Sequence, residues 1–407
     1  MSVNKWRHVT LSDVVSLQRG HDLPEPERIA GDVPVMGSFG LTGWHNTAKC
    51  KGPGVTVGRS GASFGVVGYT EKPYWPLNTA LYVTDFHGNN ERYVYYLLKT
   101  IDFTAYNTGS AQPSLNRNHL VNIPINLPEP TEQRAIAAVL GVLDDKIEQN
   151  RRTGRALEAL TRATFKAWFV DFEPVKVKAA GQISFPGMPP AAFAALPDRL
   201  TDSPLGPVPQ GWAVRTLAEV FDINPPRRLS KGQDAPYLDM KNMPTEGHAP
   251  DEWEMRPHGS GMRFMNGDTL VARITPCLEN GKTAYVDFLN EGEVAWGSTE
   301  YIVLRPKTPL PQVYAYCLAR TPEFREFAIQ NMTGTSGRQR VAASALEHYH
   351  VAAPDAATAA AFGDLVLPLF KCIRAGKAES SKLAALRDYL LPRLLSGAVR
   401  VASKAGV

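Results

Sequence analysis

Thr131-Glu132-Gln133-Arg134-Ala135-Ile136-Ala137-Ala138-Val139 opens the stretch on which the fold turns. From it Ile136, Val139, Leu143, Ile147, Leu157, Leu160, Phe165 and Phe169 follow mostly at steps of three, four and their sums, the spacing of one apolar stripe on a helix. Thr131, shortly after Pro128 and Pro130, suits a helix start, where a hydroxyl cap and an early acid satisfy free amide donors. About 226 residues further on, the stripe returns without a gap as Phe362, Leu365, Leu369, Ile373, Leu383, Leu386, Leu391 and Leu395. A helix of roughly 38 residues is about 57 Å long, and its stripe cannot bury itself alone. The simplest partner is its own repeat, so the two helices are expected to pack as an antiparallel coiled coil with pseudo-two-fold symmetry. Proline removes a backbone donor and clashes with the preceding turn, so Pro368 and Pro392 are expected to break or bend the second helix. Gly141 and Gly154 weaken the first.

The repeat extends upstream of both helices. Trp6-x-x-x-Thr10-Leu11-x-Asp13-Val14 returns as Trp212-x-x-x-Thr216-Leu217-x-Glu219-Val220, and Asn78-Thr79 followed by Val83 returns as Ser298-Thr299 followed by Val303. Tyr96-x-Leu98 matches Tyr316-x-Leu318, and Thr108-Gly109-Ser110 matches Thr333-Gly334-Thr335. Short apolar runs such as Gly54–Gly58 and Tyr301–Leu304, punctuated by glycine and proline, predict strands. The fold class is therefore α/β: two similar strand-rich globules, each followed by a long helix. The expected boundaries are a first globule over 1–130, a helix over 131–170, a second globule over 211–356 and a helix over 357–397. Between the halves, 171–210 holds eight prolines and reads as a connecting segment with little regular structure.

Composition narrows the class. The 407 residues carry 43% hydrophobic and 21% charged residues, with no continuous apolar run approaching the ~20 residues that span a bilayer, so no membrane partner is expected. The N-terminus lacks the apolar core of a secretory signal, which makes the cytoplasm the expected location. Cys50, Cys277, Cys317 and Cys372 form no Cys-x-x-Cys pair and read as buried thiols; neither a metal nor a cofactor is expected. A net charge of +4 is compatible with a polyanionic partner without identifying one.

Two globules related by a two-fold axis suit a duplex with two separated half-sites, because readers on one face of B-DNA lie about 34 Å or a multiple of that apart. Ser203-x-Leu205-Gly206-x-x-Pro209-x-Gly211-Trp212 resembles the segment that precedes a target-recognition domain in type I restriction-modification specificity subunits. Proline followed by Glu132-Gln133-Arg134-x-Ile136-Ala137 and a leucine-rich helix resembles that family's central spacer helix, and the order globule, helix, globule, helix is also theirs. The second half departs from the pattern, with Ala359-Ala360-Ala361 where the first has Glu-Gln-Arg. The resemblance implies a non-catalytic subunit that reads a split site on double-stranded DNA, one half per target-recognition domain. It further implies helices acting as a ruler, two methyltransferase subunits docked on the helical region, and restriction-translocase subunits completing the complex.

Base discrimination calls for Arg, Asn, Gln or Lys in the major groove, and phosphate contacts for Lys and Arg. Gly54-x-x-x-x-Arg59 and Gly267-x-x-x-x-x-Arg273 place an arginine after a strand in each half, so Arg59 and Ser60, and Arg273 and Thr275, are candidates. The alternative is an ordinary surface salt bridge. Ser110 and Gln112 in the first half, and Arg338, Gln339 and Arg340 in the second, sit in small-residue loops suited to phosphate or base-edge bonds, against the alternative of solvated turns. Lys49 and Lys51 are weaker candidates; Trp44 beside them reads as core rather than as a stacking platform. Two rivals stand beside DNA recognition: a self-sufficient methyltransferase or nuclease, and a scaffold that binds proteins only. Asn224-Pro225-Pro226-Arg227 resembles an adenine methyltransferase signature, but arginine replaces its aromatic ring and no glycine-rich cofactor loop accompanies it. Gly281-Lys282-Thr283 resembles a P-loop end, but Pro276 stands where the first glycine belongs.

Overall fold

A computed structural model describes residues 6–109, 113–335 and 337–401. It divides into two compact units: unit 1 takes the chain up to Gln149 together with residues from Glu379 onward, and unit 2 is Asn150–Ala378. The long helices are Pro130–Phe169 and Ala356–Leu395, 40 residues each, and both contribute residues to each unit.

In unit 1, strand Arg7–Thr10 pairs antiparallel with Pro124–Leu127, and a one-turn helix, Leu11–Val14, follows. Thr10 caps that helix reciprocally with Asp13, whose carboxylate accepts from the Thr10 amide at 2.8 Å. The main antiparallel sheet runs in the order Ser16–Arg19, Ala80–Asp85, Gly54–Gly58, Val67–Thr70, and a smaller sheet holds Gly40–His45, Val33–Gly37 and Trp75–Pro76. Gly54–Gly58 is buried along its whole length, as its continuous apolar and small residues require of a central strand. Helix Glu91–Lys99, capped by Asn90, closes the globule.

Unit 2 builds the same frame in the same order. Strand Ala213–Thr216 pairs with His350–Ala353, and helix Leu217–Val220 is capped by Thr216 and Glu219, with the Thr216 amide donating at 2.7 Å. A sheet of Phe221–Ile223, Tyr301–Pro306, Thr269–Ala272 and Thr283–Tyr285 follows, then helix Val313–Ala319. The two opening sequences are alike because each must make the same strand, cap and turn.

Within each unit the helical halves run antiparallel. In unit 1, Asp144 accepts from Arg387 at 2.7 Å while Lys146 faces Glu379, and Ile136, Ala137 and Leu140 share a core with Leu391, Leu394 and Leu395. In unit 2, Asn150 reaches the Gly376 carbonyl, and Phe165, Trp168 and Phe169 pack on Phe362. The buried face differs from the predicted stripe. Val139 (37% exposed), Leu160 (55%) and Leu386 (46%) face outward, whereas Leu140, Trp168, Val366, Phe370 and Leu394 are buried. Each half-helix also covers its own globule, so its buried face is wider than a coiled-coil seam and turned away from it.

Glu132 and Gln133, which the sequence marked as a motif, fasten the first helix. The wholly buried Gln133 amide donates to Asn89 at 2.8 Å and to the Pro128 carbonyl at 3.0 Å, and its oxygen accepts from the Asn90 amide. Glu132 accepts from the Trp6 indole at 3.0 Å and from Arg400 at 2.8 Å. The second helix, lacking these residues, is capped by Asp355, which takes the amide and hydroxyl of Thr358.

Three expectations are corrected. The second helix runs unbroken through Pro368 and Pro392, each of which costs a single donor in a helix held by packing along its length. Residues 171–210 are structured: helices Glu173–Ala179 and Pro190–Ala195 and a small hairpin bury Val175, Met188, Phe193, Leu196 and Val208 in the unit 2 core. Pro174 and Pro190 stand in the first turns of these helices, where no donor is lost, instead of abolishing structure. Cys372 is exposed and Cys50 and Cys277 only half-buried, leaving Cys317 as the buried thiol. By length and composition the second helix is apolar enough to cross a membrane. Its Phe362, Val366 and Phe370, however, lie in the unit 2 core and Leu394 and Leu395 in that of unit 1. Gly141 and Gly154 have positive uses: a Cβ at 141 would meet the Arg92 guanidinium at 2.9 Å, and one at 154 would meet Ile373 at 3.3 Å.

Asp144 also accepts from the Tyr96 hydroxyl at 2.7 Å, tying the globule of unit 1 to its helices. Asp144→Ala strands both that hydroxyl and Arg387, so unit 1 is expected to lose about 2–3 kcal/mol. Asp144→Asn, which keeps an acceptor for Tyr96, should lose less. Hydrogen exchange of strand Gly54–Gly58 in both variants checks this; equal protection in wild type and Asp144→Ala would refute the tie.

Candidate nucleic-acid interface

In unit 1 the end of strand Ser16–Arg19, the end of Gly54–Gly58, Thr108 and the residues from Ser114 to Arg117 converge on an open cleft of about 640 Å³. The Arg59 amide donates to the Thr79 carbonyl at 2.9 Å, and the Arg59 carbonyl accepts from the Leu115 amide at 2.8 Å, so its backbone is fixed from both sides. Ser60 bridges to Ser114 across the same seam. Around Arg59 the cleft presents Gln18, Arg19, His21, Asn116 and Arg117. Arg19 and Arg117 are exposed and Arg59 is half-buried. Among the described residues none of the three arginines makes an ion pair; Arg117 reaches only the Leu17 carbonyl, at 3.5 Å. Asp22, the acid on the cleft wall, is held by the Asn78 amide. Three guanidinium groups in one groove with side-chain amides and hydroxyls form a surface for phosphate oxygens and base edges. Ser110 and Gln112 lie outside the described residues.

Unit 2 repeats the frame with different side chains. The Arg273 amide donates to the Glu300 carbonyl at 3.0 Å, and the Arg273 carbonyl accepts from Val341 at 2.9 Å. Thr275 and Gln339 close the seam, the Thr275 amide donating to the Gln339 carbonyl and the Gln339 amide to the Thr275 hydroxyl. Arg273, Thr275, Gln339 and Arg340 are thus brought together. Glu300, which the sequence reading missed, sits among them. Its carboxylate takes Arg340 through Nε at 2.8 Å and Nη2 at 2.7 Å and lies 3.9 Å from Nε of Arg273. Those bonds hold the Arg340 guanidinium charged, above even its ordinary pKa. Arg340 also donates to the Arg338 carbonyl at 3.2 Å, while the Arg338 side chain is exposed.

Lys49 and Lys51 are not among the residues lining the unit 1 cleft. Lys49 lies 5.2 Å over the Trp75 ring. Trp44, expected in the core, is 48% exposed beneath Lys72. Gln18, Arg19, His21 and Arg117 were also missed. Gln18-Arg19-Gly20-His21 falls opposite Asn224-Pro225-Pro226-Arg227 in the repeat. In unit 2 those residues brace the sheet: Asn224 exchanges two hydrogen bonds with the Val303 backbone, and Arg227 and Arg305 both bind the buried Asp268 carboxylate. Lys282 of the rejected P-loop match donates to the Met240 carbonyl at 2.7 Å.

Residues 4–159 match the family model of the type I restriction modification DNA specificity domain. Over 325 residues the chain is 25% identical to the type I restriction enzyme MjaIX specificity subunit of Methanocaldococcus jannaschii, covering 76% of this chain and 69% of that one. Over 333 residues it is 22% identical to the HindI specificity subunit of Haemophilus influenzae, covering 70% and 71%. The crystal structure of a type I restriction-modification S subunit from M. genitalium has the same fold, with a TM-score of 0.60 at 16% identity over 97% of each chain.

Proposed function

We propose that the chain, similar over residues 4–159 to the type I restriction modification DNA specificity domain and over most of its length to specificity subunits, is itself such a subunit and recognises a bipartite site on double-stranded DNA, one half by each unit, with no catalysis of its own. Two methyltransferase subunits and the restriction subunits supply the chemistry, and the long helices set the distance between half-sites. The observation that carries this reading is the duplicated frame around Arg59 and Arg273, in which matching backbone bonds hold a basic loop at the end of a sheet in each unit. Such a frame leaves the folded core alike while the side chains differ, as two readers of different sequences require. Val139, Val142, Leu386 and Tyr389, exposed on the helices of unit 1, and Leu160, exposed in unit 2, support a helical docking surface for the methyltransferase subunits.

Reconstitution with methyltransferase partners, followed by mapping of the methylated bases, tests the proposal. The expected result is a split motif with a fixed gap; a contiguous motif, or methyl transfer by this chain alone, would count against it. Arg338→Ala should weaken binding to the mapped site by about 1–3 kcal/mol if it reads a base, with the loss confined to one position of the second half-site. Unchanged affinity would remove Arg338 from the interface.

A further inference from the structure

The matched frames make the two units directly comparable, and their electrostatics differ. The carbonyl that receives the Arg59 amide belongs to Thr79; the one that receives the Arg273 amide belongs to Glu300. Thr79 is exposed and uncharged, and the acid of the unit 1 cleft, Asp22, is held by the Asn78 amide, so among the described residues Arg59, Arg19 and Arg117 are not ion-paired to a carboxylate. Unit 2 sets a carboxylate between Arg273 and Arg340 and occupies both donors on one side of the Arg340 fork. Arg227 is consumed by buried Asp268, and Arg338 stays exposed in the same loop as Arg340. The same contrast marks the outer edges. Exposed Trp44 lies under Lys72, whereas exposed Trp253 is flanked in sequence by Glu252 and Glu254.

Phosphate affinity follows the number of unpaired cations presented to the backbone, since each neutralised phosphate releases counterions. A guanidinium already bound by a carboxylate offers little to a phosphate, and the carboxylate repels it. We infer that the two readers divide the work unequally: unit 1, through Arg19, Arg59 and Arg117, supplies the sequence-independent grip on the phosphate backbone. In unit 2, Glu300 withholds Arg273 and Arg340 from phosphate and acts as a specificity-determining positioning residue. This inference rests on the DNA-binding reading above. A carboxylate in that place penalises non-specific duplex and holds the remaining donors in one orientation, so only base edges that fit it are accepted.

The test uses the full chain and a duplex of mixed sequence about three helical turns long, with affinity measured across a salt series. Arg19→Ala and Arg117→Ala are each expected to flatten the slope of log affinity against log salt by about 0.9. Between about 50 and 200 mM salt, that shrinks the fall in affinity roughly threefold per arginine. Thr79→Glu, which installs in unit 1 the acid of unit 2 at an exposed position, should flatten it similarly. Glu300→Gln keeps the side-chain shape and should do the reverse, raising affinity for this non-specific duplex and steepening the slope. Salt-dependent binding that persists with a wild-type slope in Arg19→Ala, Arg117→Ala and Thr79→Glu would overturn the division of labour while leaving DNA recognition standing. Affinity that is unchanged or lower in a Glu300→Gln variant with a wild-type melting temperature would overturn the role of Glu300. No salt-dependent binding by the wild-type chain would instead defeat the functional reading itself.

Discussion

Phe362→Ala is expected to destabilise unit 2 by about 3–5 kcal/mol, the range for deleting a buried aromatic ring. The ring is wholly buried, with centroids 5.9 Å from Phe165, 6.0 Å from Trp168 and 5.0 Å from Phe169. These neighbours are rigid and are themselves wedged against Tyr314 and Trp212, so the space cannot close by a rotamer change. Segment-resolved hydrogen exchange is the suitable measurement, because one melting curve for a chain of two units does not isolate either. Protection of strand Thr269–Ala272 should fall by a factor of roughly 10²–10⁴, with Gly54–Gly58 in unit 1 as the internal reference. Leu386→Ala provides the contrast. The sequence put Leu386 on the same stripe, but its outward position predicts a change within about 0.5 kcal/mol. Equal protection in the two variants would mean that the aromatic cluster is not what holds unit 2 together.

That contrast shows what a sequence can and cannot disclose here. The existence and extent of the two helices were legible, since a stripe sustained over some forty positions with prolines and a threonine at its start has one economical explanation. The duplicated strand, cap and turn at Trp6 and Trp212 were legible for the same reason: local chemistry repeats where local geometry does. Which way each helix faces was not, because a helix packed on both a partner and a globule buries more than a seam, and the globule's share is fixed by tertiary packing. The segment 171–210 was misread because proline density signals where elements begin and end, not whether they exist. Arg59 and Arg273 could be singled out as candidates because each follows a recognisable strand. Glu300 was missed because it meets Arg273 only through pairing of strand Tyr301–Pro306 with Thr269–Ala272, and Arg19 and Arg117 because strand pairing and a distant loop deliver them to one cleft.

The second large effect concerns distance. Seven residues inserted after Gln149, with seven more after Ala378, lengthen both long helices at the boundary between the units and leave the contacts within each unit intact. Each insertion adds about 10 Å of helix, or roughly three base pairs of duplex at about 34 Å per ten to eleven base pairs. Under the proposed function, methylation of the original split motif by the reconstituted complex should fall to background, and a library of gap lengths should return a motif about three base pairs longer. The new site should also be methylated less well than the old one was by the parent. Seven helical residues return to within about 20° of their starting phase, whereas three base pairs turn the duplex through roughly a third of a turn. The extra twist then has to be absorbed by the DNA or by the units, at a cost in binding energy. An insertion of eleven residues, three helical turns with a small residual rotation, adds about 16 Å and calls for nearly five additional base pairs, half a turn of duplex, so it should recover less still. Continued methylation of the parental spacing by either variant would show that the helices do not set the gap, and the division of the site between the two units would then need another explanation.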